Sequence, residues 1–191
     1  MMKTVLSLSL LTLAGTALAA PVTYQIDPDH TFPAFETDHM GGLSVWRGKF
    51  AKTSGQVVMD KEAGTGTVDI TIDAASIDLA HEKLEQHVRG SDMLDVEKFP
   101  TAAYKGKLVK FKDGAPTEVE GQLTLHGATR PVTVKINHFL CKKSPMNGKD
   151  VCGADASGSF DRSAFGIDYG KAYGFKQDVK LLISIEAARA N

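Results

Sequence analysis

The stretch "EVEGQLTLHGATRPVTVKI", residues 118–136, decides the fold class of this chain. Val119 and Leu123 alternate with polar residues, and the same period of two resumes from Val132 to Ile136 after "HGATRP". A period of two places one face of a strand against a core and the other face in water. The glycine and proline between the two runs favour a turn. The stretch therefore predicts two neighbouring antiparallel strands.

The same organisation extends along most of the chain. Further alternating runs and turn signals occur at residues 22–26, 61–66, 67–73, 112–116 and 179–185. One segment departs from it: "LAHEKLEQHVRGSDML", residues 79–94, is rich in helix formers and predicts one helix that ends near Gly90. About eight strands close most naturally into a barrel, because closure removes exposed sheet edges. The prediction is a mainly β fold, an eight-stranded antiparallel β-barrel with one helical insertion, whose interior can hold one slender ligand.

The first residues have the features of a secretory signal peptide. A positive start at Lys3 precedes an apolar run from Val5 to Leu13, and "ALAA" supplies small residues before a cleavage site after Ala19. We therefore expect residues 1–19 to be removed, residues 20–191 to form a single domain, and the protein to be located in a bacterial periplasm. No later stretch of the sequence approaches the length of a transmembrane helix, so none is predicted.

The composition limits the classes of partner that are expected and indicates the redox state of the cysteines. Lys and Arg number 22 against 23 Asp and Glu, without a basic cluster, so nucleic acid is not an expected partner. The two cysteines, Cys141 and Cys152, flank a polar loop, and in an oxidising compartment they are expected to form a disulfide. Such a bond contributes ~2–3 kcal/mol. The alternative is a pair of buried thiols.

The sequence offers no local catalytic or metal motif. "HEKLE" at residues 81–85 lacks the second histidine of a zinc protease, and His87 faces a different side of the helix from His81. A G-x-S-x-G elbow, a P-loop and a G-x-G-x-x-G loop are all missing from the sequence. We therefore predict no catalytic residue, no metal and no cofactor. The alternative is a histidine-dependent metal- or haem-binding redox protein or enzyme, whose histidines converge only in the fold.

Two segments are candidates for a ligand pocket. "HTFPAFETDHM", residues 30–40, surrounds apolar residues with two histidines and is interpreted mainly as pocket wall, with Phe35 pointing inward and His39 near a polar head. "RGSDMLDVEKFP", residues 89–100, allows two interpretations. Its carboxylates can cap backbone amides while Met93 and Phe99 plug one barrel end, or Arg89 and its neighbours can form the polar mouth of an apolar tunnel.

Five blocks of the chain resemble the YceI family of bacterial periplasmic proteins, which have a lipocalin-like fold. The blocks are "YQIDPDHTFPAFETDHMGG" with "RGKF", "HVRGSDMLDVEKFPTAAY", "GQLTLHGATRPVTV", "DRSAFGIDYG" and "VKLLISIEA", and they span nearly all of residues 20–191. The resemblance implies a barrel around an apolar tunnel that binds or carries a polyisoprenoid lipid, either an isoprenoid quinone or an isoprenyl pyrophosphate. It implies a binding protein without catalytic residues and is compatible with a homodimer. Transient membrane contact is a further expectation.

Successive side chains of a strand point to opposite faces, and this alternation predicts which residues face the ligand. Burying ~500–700 Å² of isoprenoid surface gives a gross ~12–18 kcal/mol before the costs of association, so binding needs no charge pairing. The polar mouth is expected to draw on His39, Arg89, Ser91 and Asp92. The apolar wall is expected to comprise Phe32 or Phe35, Val57, Met59, Ile70, Met93, Phe99, Leu123, Val134, Phe160, Phe165 and Ile183.

Overall fold

The computed structural model describes residues 20–190. The predicted signal peptide, residues 1–19, lies outside the described residues. The strands are β1 Val22–Ile26, β2 Phe32–His39, β3 Ser44–Phe50, β4 Thr53–Asp60, β5 Thr65–Asp73, β6 Ile77–Asp78, β7 Thr101–Val109, β8 Glu118–Leu125, β9 Ala128–Lys143, β10 Asp150–Asp161 and β11 Asp178–Arg189. Helix α1 is Glu82–Arg89, and short 3₁₀ helices occur at Ala74–Ser76, Arg162–Phe165 and Lys171–Tyr173.

Eight of these strands close into a ring. All strand pairs are antiparallel, and the order is β1-β4-β5-β7-β8-β9-β10-β11. β1 also pairs with β11, which joins the two ends of the series. The predicted fold class, an eight-stranded antiparallel barrel with one helical insertion, is confirmed.

One strand of the ring has two partners along the same edge. β11 pairs with β1 near Ala187 and with β2 from Val179 to Ser184. Residues 27–31 connect β1 to β2 and belong to neither strand. β2 continues into β3 and the short β6, so the sheet is wider at this end. Because α1 lies next to β6, we call this the helix end of the barrel.

The opposite end of the barrel carries the two cysteines. Cys141 of β9 and Cys152 of β10 are direct partners in the strand register and form a disulfide, with their Cα atoms 4.0 Å apart. The predicted pairing of Cys141 with Cys152 is therefore confirmed. We call this the disulfide end.

The period of two has its expected consequence for burial. Val119 and Leu123 of β8 and Val132 and Val134 of β9 are all buried, while Glu120, Gln122 and Thr133 are exposed. Helix α1 is shorter than the pattern predicts. It begins at Glu82 because Ala80 has a positive φ and the extended His81 caps the helix, its Nδ1 accepting a hydrogen bond from the Leu84 amide.

Within residues 20–190, none of the helices has the length and hydropathy needed to cross a bilayer.

Candidate functional site

A long cavity of about 540 Å³ runs through the interior of the barrel. β11 shows its extent, because every second residue from Val179 to Ala187 lines it. Eight steps along a strand at ~3.4 Å each give a length of roughly 27 Å. The cavity is therefore narrow for its length and suits a slender ligand better than a compact one.

The lining at the disulfide end is apolar. Met59, Val119 and Ala187 line it, together with Cys152 of the disulfide. Farther along, the Tyr104 hydroxyl donates to the backbone carbonyl of Val132 at 2.8 Å, and burial raises the pKa of Tyr104 to about 12. This phenol is neutral and has its hydrogen-bond partner within the wall, so it adds little polarity to the cavity.

The lining at the helix end includes polar groups. Asp38, His39, His87 and Arg162 all line the cavity there, beside aromatic rings. They come from β2, α1 and the segment after β10, so several separate parts of the chain meet at this end. The cavity is thus amphipathic along its length, with a polar helix end and an apolar disulfide end.

Aromatic and imidazole rings pack against each other around the helix end. The His39 ring lies between Trp46 at 5.3 Å and Phe175 at 5.5 Å, measured between ring centroids. His87 packs edge-on against Tyr169 at 4.6 Å. Flat rings of this kind suit a planar head group, since aromatic groups stack and make edge contacts.

Arg162 is the one arginine among the described residues that lines the cavity. Its side chain is buried, its Nη1 donates to the Ile167 carbonyl at 3.0 Å, and its Nη2 donates to the Tyr169 carbonyl at 2.7 Å. Burial lowers the pKa of the guanidinium, while the nearby charges of Asp161 and Asp168 act in the opposite direction. An arginine remains protonated under such conditions, so the cavity wall carries a positive charge.

Most of the predicted wall does line the cavity. Parity placed these side chains on the inner face because successive side chains of a strand point to opposite sides. The predicted residues that line it are Phe35, His39, Val57, Met59, Ile70, Met93, Leu123, Val134, Phe160 and Ile183. Contact of these residues with a ligand stays a prediction.

Three predicted phenylalanines lie elsewhere. Phe32 has the outward parity on β2 and lies under the Lys49 ammonium, 4.8 Å from its ring centroid. Phe99 precedes β7 and packs against His126, with ring centroids 4.6 Å apart. Phe165 is buried against Phe160 but behind the wall, because its 3₁₀ helix turns it away from the strand pattern.

Of the residues predicted to form the polar mouth of the cavity, His39 is the one that lines it. Arg89 donates to the backbone carbonyls of Ala75 at 2.9 Å and Ile77 at 2.8 Å, so it ties α1 to the barrel instead of lining the cavity. Ser91 and Asp92 are exposed in the turn after α1. Of the residues in the structural-plug interpretation, Met93 lines the cavity and Phe99 does not.

Sequence reasoning missed Arg162, Thr53 and Trp46 as cavity residues. Arg162 follows Asp161 in "DRSAF", and a charged pair after a strand ordinarily indicates a solvated turn. Thr53 begins a strand, where its facing is hard to assign. Trp46 is the single tryptophan of the chain, and this was the one available signal, because a lone large aromatic residue often belongs to a functional surface.

The described histidines do not gather at one point. Near the helix end, His39 and His81 both pack against Trp46, whereas His87 packs against Tyr169. A different group, Asp27, His30 and Glu186, brings three potential ligand atoms within 4.8 Å of one another between β1 and β2. His30 Nδ1 already contacts Asp27 Oδ2 at 2.8 Å. The prediction that the protein holds no structural metal remains untested.

A closed antiparallel barrel around one long apolar cavity defines the chain as a lipocalin-like barrel protein. Residues 24–187 match the model of the YceI-like domain, and the chain belongs to the YceI family. The family predicted from the five sequence blocks is thereby shown.

Relatives of known sequence or structure are consistent with this assignment. The chain is 37% identical over 194 residues to a UPF0312 protein of Serratia proteamaculans, covering 98% of both chains. The crystal structure of Burkholderia cenocepacia BcnA superimposes with a TM-score of 0.63 at 24% identity, covering 82% of this chain and 96% of that one. A polyisoprenoid binding domain from Saccharophagus degradans, implicated in plant cell wall breakdown, has a TM-score of 0.63 at 11% identity and covers 88% and 99%.

Proposed function

We propose that this protein binds or carries a polyisoprenoid lipid in its barrel cavity, as a periplasmic binding protein and not as an enzyme. The observation that carries the proposal is the continuous apolar wall along β11, from Val179 to Ala187. A wall of this length matches a long hydrocarbon chain, and the polar groups at the helix end match a single head group.

The energetics of burial support a lipid ligand. Each methylene group transferred from water into an apolar site contributes about 0.8 kcal/mol. A branched chain that follows most of the cavity therefore gains enough to offset the cost of association without any charge pairing. The irregular wall includes Met59 and Met93, whose flexible thioethers adapt to the methyl branches of an isoprenoid.

Family membership and the disulfide support the remaining parts of the proposal. The barrel of the Saccharophagus degradans protein is described as a polyisoprenoid binding domain. A disulfide between Cys141 and Cys152 fits an oxidising compartment such as the periplasm. The polar groups on the cavity do not form a nucleophile with an adjacent base in the described part of the chain, which favours binding over catalysis.

Mass spectrometry of lipids that co-purify with the protein from the periplasm tests the proposal. The informative variant is Ala156→Phe, because Ala156 lines the middle of the cavity and is buried. The matched control is Ala188→Phe, which adds the same side chain on β11 beside the inward-facing Ala187, at a position that does not line the cavity. We expect an isoprenoid lipid with the wild type and Ala188→Phe, and at least a tenfold loss with Ala156→Phe.

Two results would contradict the proposal. One is equal lipid recovery from the Ala156→Phe and wild-type proteins, with circular dichroism showing both folded. The other is the recovery of stoichiometric metal or haem in place of lipid, which would favour the histidine-dependent alternative. Size-exclusion chromatography with light scattering, and flotation with liposomes, separately test the predicted homodimer and membrane contact.

A further inference from the structure

Large apolar side chains are exposed in two loops at the helix end of the barrel. Residues 40–45 span the turn between β2 and β3, and residues 169–176 lie between β10 and β11. Monomeric soluble proteins seldom gather exposed apolar side chains in one place without a binding role. The exposed side chains are Met40, Leu43 at 74%, Val45, Tyr169 and Tyr173 at 79%.

These two loops are held against each other. Asp38 Oδ2 accepts hydrogen bonds from the Gly41 amide of one loop at 2.9 Å and from the Lys176 amide of the other at 3.0 Å. A Cβ added at Gly41 would lie 3.1 Å from the Gly174 carbonyl oxygen, so the two backbones approach closely. The exposed side chains therefore belong to one surface, formed by both loops, which we call the tip patch.

The tip patch also carries positive charge. Lys171 and Lys176 are exposed, and among residues 20–190 neither ammonium forms an ion pair. The sequence of the two loops contains no acidic residue, and the neighbouring Asp38 accepts the two amides described above. Aliphatic and tyrosine side chains beside lysines match the interfacial zone of a bilayer whose lipids carry anionic head groups.

The tip patch is continuous with the lining of the cavity. Tyr169 belongs to both, because it lines the cavity and is exposed. His39 and Phe175 also line the cavity, and they lie one residue from Met40 and two residues from Tyr173 in the sequence. An apolar ligand that moves between a bilayer and the cavity along this surface avoids exposure to water, which is the unfavourable step for a lipid. This continuity favours a bilayer over a second copy of the chain.

The disulfide end does not share this combination. It exposes two large apolar residues, Leu140 on β9 and Met146 in the following loop, and neither lines the cavity. Lys142 and Lys149 are exposed there as well. Exposed lysines therefore occur at both ends, whereas apolar side chains continuous with the cavity occur at the helix end. The disulfide end thus provides matched controls.

We propose that the tip patch docks the protein on the surface of an anionic bilayer, with Leu43 and Tyr173 entering the head-group region and Lys171 and Lys176 contacting lipid phosphates. This goes beyond the proposed function, because it assigns a membrane as the partner and a docking surface on the protein. The use of such docking rests on the proposed function, since a docked cavity exchanges lipid directly with the bilayer.

A fluorescent probe at each end tests the orientation. Both native cysteines form the disulfide, so Leu43→Cys or Met146→Cys provides a single thiol for the environment-sensitive dye NBD. With vesicles of phosphatidylethanolamine and phosphatidylglycerol, we expect the dye on Leu43→Cys to become roughly twofold brighter or more, because it enters a less polar zone. The dye on Met146→Cys should stay unchanged. Equal brightening at both positions, or brightening of Met146→Cys alone, overturns the proposal.

Vesicle flotation tests the apolar side chains. Leu43→Ser combined with Tyr173→Ser should weaken binding to the same vesicles by roughly tenfold or more, because it removes the surface that enters the bilayer. Leu140→Ser combined with Met146→Ser removes exposed apolar surface from the other end and should change binding by less than about twofold. Circular dichroism checks that each variant is folded. An equal loss in the two double variants contradicts docking through the tip patch.

The lysines are tested in the same way. Lys171→Gln combined with Lys176→Gln should weaken binding to phosphatidylglycerol-containing vesicles roughly tenfold, and should have little effect on the weaker binding to phosphatidylcholine vesicles. The control, Lys142→Gln combined with Lys149→Gln, should weaken binding by less than about threefold, since these lysines stay farther from the surface. Equal losses in both pairs would show attraction by overall charge and overturn the assigned orientation.

Flotation and lipid recovery distinguish this proposal from the proposed function. A wild-type protein that yields isoprenoid lipid but does not float with vesicles overturns docking alone. Vesicle binding without recovery of an isoprenoid overturns the proposed function alone. A wild-type dimer that Leu43→Ser with Tyr173→Ser converts to a monomer in light scattering, together with no vesicle binding, assigns the tip patch to a second copy of the chain and overturns docking.

Discussion

The two ends of the barrel differ in how they are held together. At the disulfide end, β1 closes the ring against β11, and Cys141 and Cys152 link the long β9–β10 hairpin covalently. At the helix end, β2, β3 and β6 widen the sheet, and the eight-residue α1 has no fully buried residue. One end is therefore closed by strand pairing and a covalent bond, while the other can open at a smaller cost in contacts.

The way α1 is attached supports this interpretation. Hydrogen bonds link it to the barrel, from Arg89 to the Ala75 and Ile77 carbonyls and from the Leu79 amide to Glu85 Oε1 at 2.9 Å, and its apolar contact is through the partly buried Val88. Such bonds break and re-form more easily than a packed core. Because the polar part of the cavity lies at the same end, we infer that a lipid enters and leaves there.

The largest expected effect comes from removing the disulfide. Replacing both cysteines, Cys141→Ala with Cys152→Ala, should lower the free energy of unfolding by about 3 kcal/mol, because the unfolded chain regains the entropy of an open loop. Chemical denaturation measures this loss. Hydrogen exchange should increase mainly in residues 139–154 and little in α1. An equal increase at both ends would show that the ends are not independent.

A larger side chain at the disulfide end should shorten the cavity. Ala187→Phe places a ring on the cavity wall, where Ala187 is buried beside Cys152. A long isoprenoid then loses contact with two or three methylene-sized groups, and its binding weakens by about 2 kcal/mol. A short-tailed analogue that never reaches this end should bind unchanged.

Calorimetric titration with both tail lengths measures the difference for Ala187→Phe. Ala188→Phe on the outer face serves again as the control for the added ring. An equal loss for short and long tails would contradict the assignment of the disulfide end to the tail.

A smaller effect is expected from releasing α1. Arg89→Ala removes two hydrogen bonds to backbone carbonyls and an ion pair with Glu85 Oε2 at 3.3 Å. We expect a local loss of about 1–2 kcal/mol, seen as faster amide exchange in α1 and faster release of lipid, with the melting temperature little changed. Arg47→Ala, which removes an exposed arginine paired with Glu36, is the matched control. Slower lipid release in Arg89→Ala would rule out α1 as the moving element.

The sequence was sufficient for the fold and for part of the site. Residues on regular strands, such as Leu123 and Ile183, follow the period of two, so their facing could be predicted. Phe99 and Arg162 lie just outside strands, where parity no longer applies and tertiary contacts decide the direction of a side chain. β1 and β2 both pair with the same edge of β11. This pairing joins residues that are far apart in the sequence, so a local pattern does not reveal it.

The smallest expected effect lies between the two ends, where residues 27–31 connect β1 to β2. His30 Nδ1 lies 2.8 Å from Asp27 Oδ2, and Asp27 Oδ1 accepts a hydrogen bond from the Asp29 amide at 3.0 Å. The hydrogen bond with Asp27 raises the pKa of the exposed His30, and the same bond lowers the pKa of Asp27. The pair therefore favours His30 protonated and Asp27 ionised in the folded protein.

The pH dependence of this link follows from those two directions. The stabilisation by His30 is complete below its unfolded pKa of about 6.5 and is lost as pH rises through its higher folded pKa. The stabilisation by Asp27 is present above about pH 3.9 and is lost as pH falls through its lower folded pKa. The link is thus strongest between these limits. NMR titration should give His30 a lower pKa in Asp27→Asn than in the wild type, and identical curves would show that the pair does not form in solution.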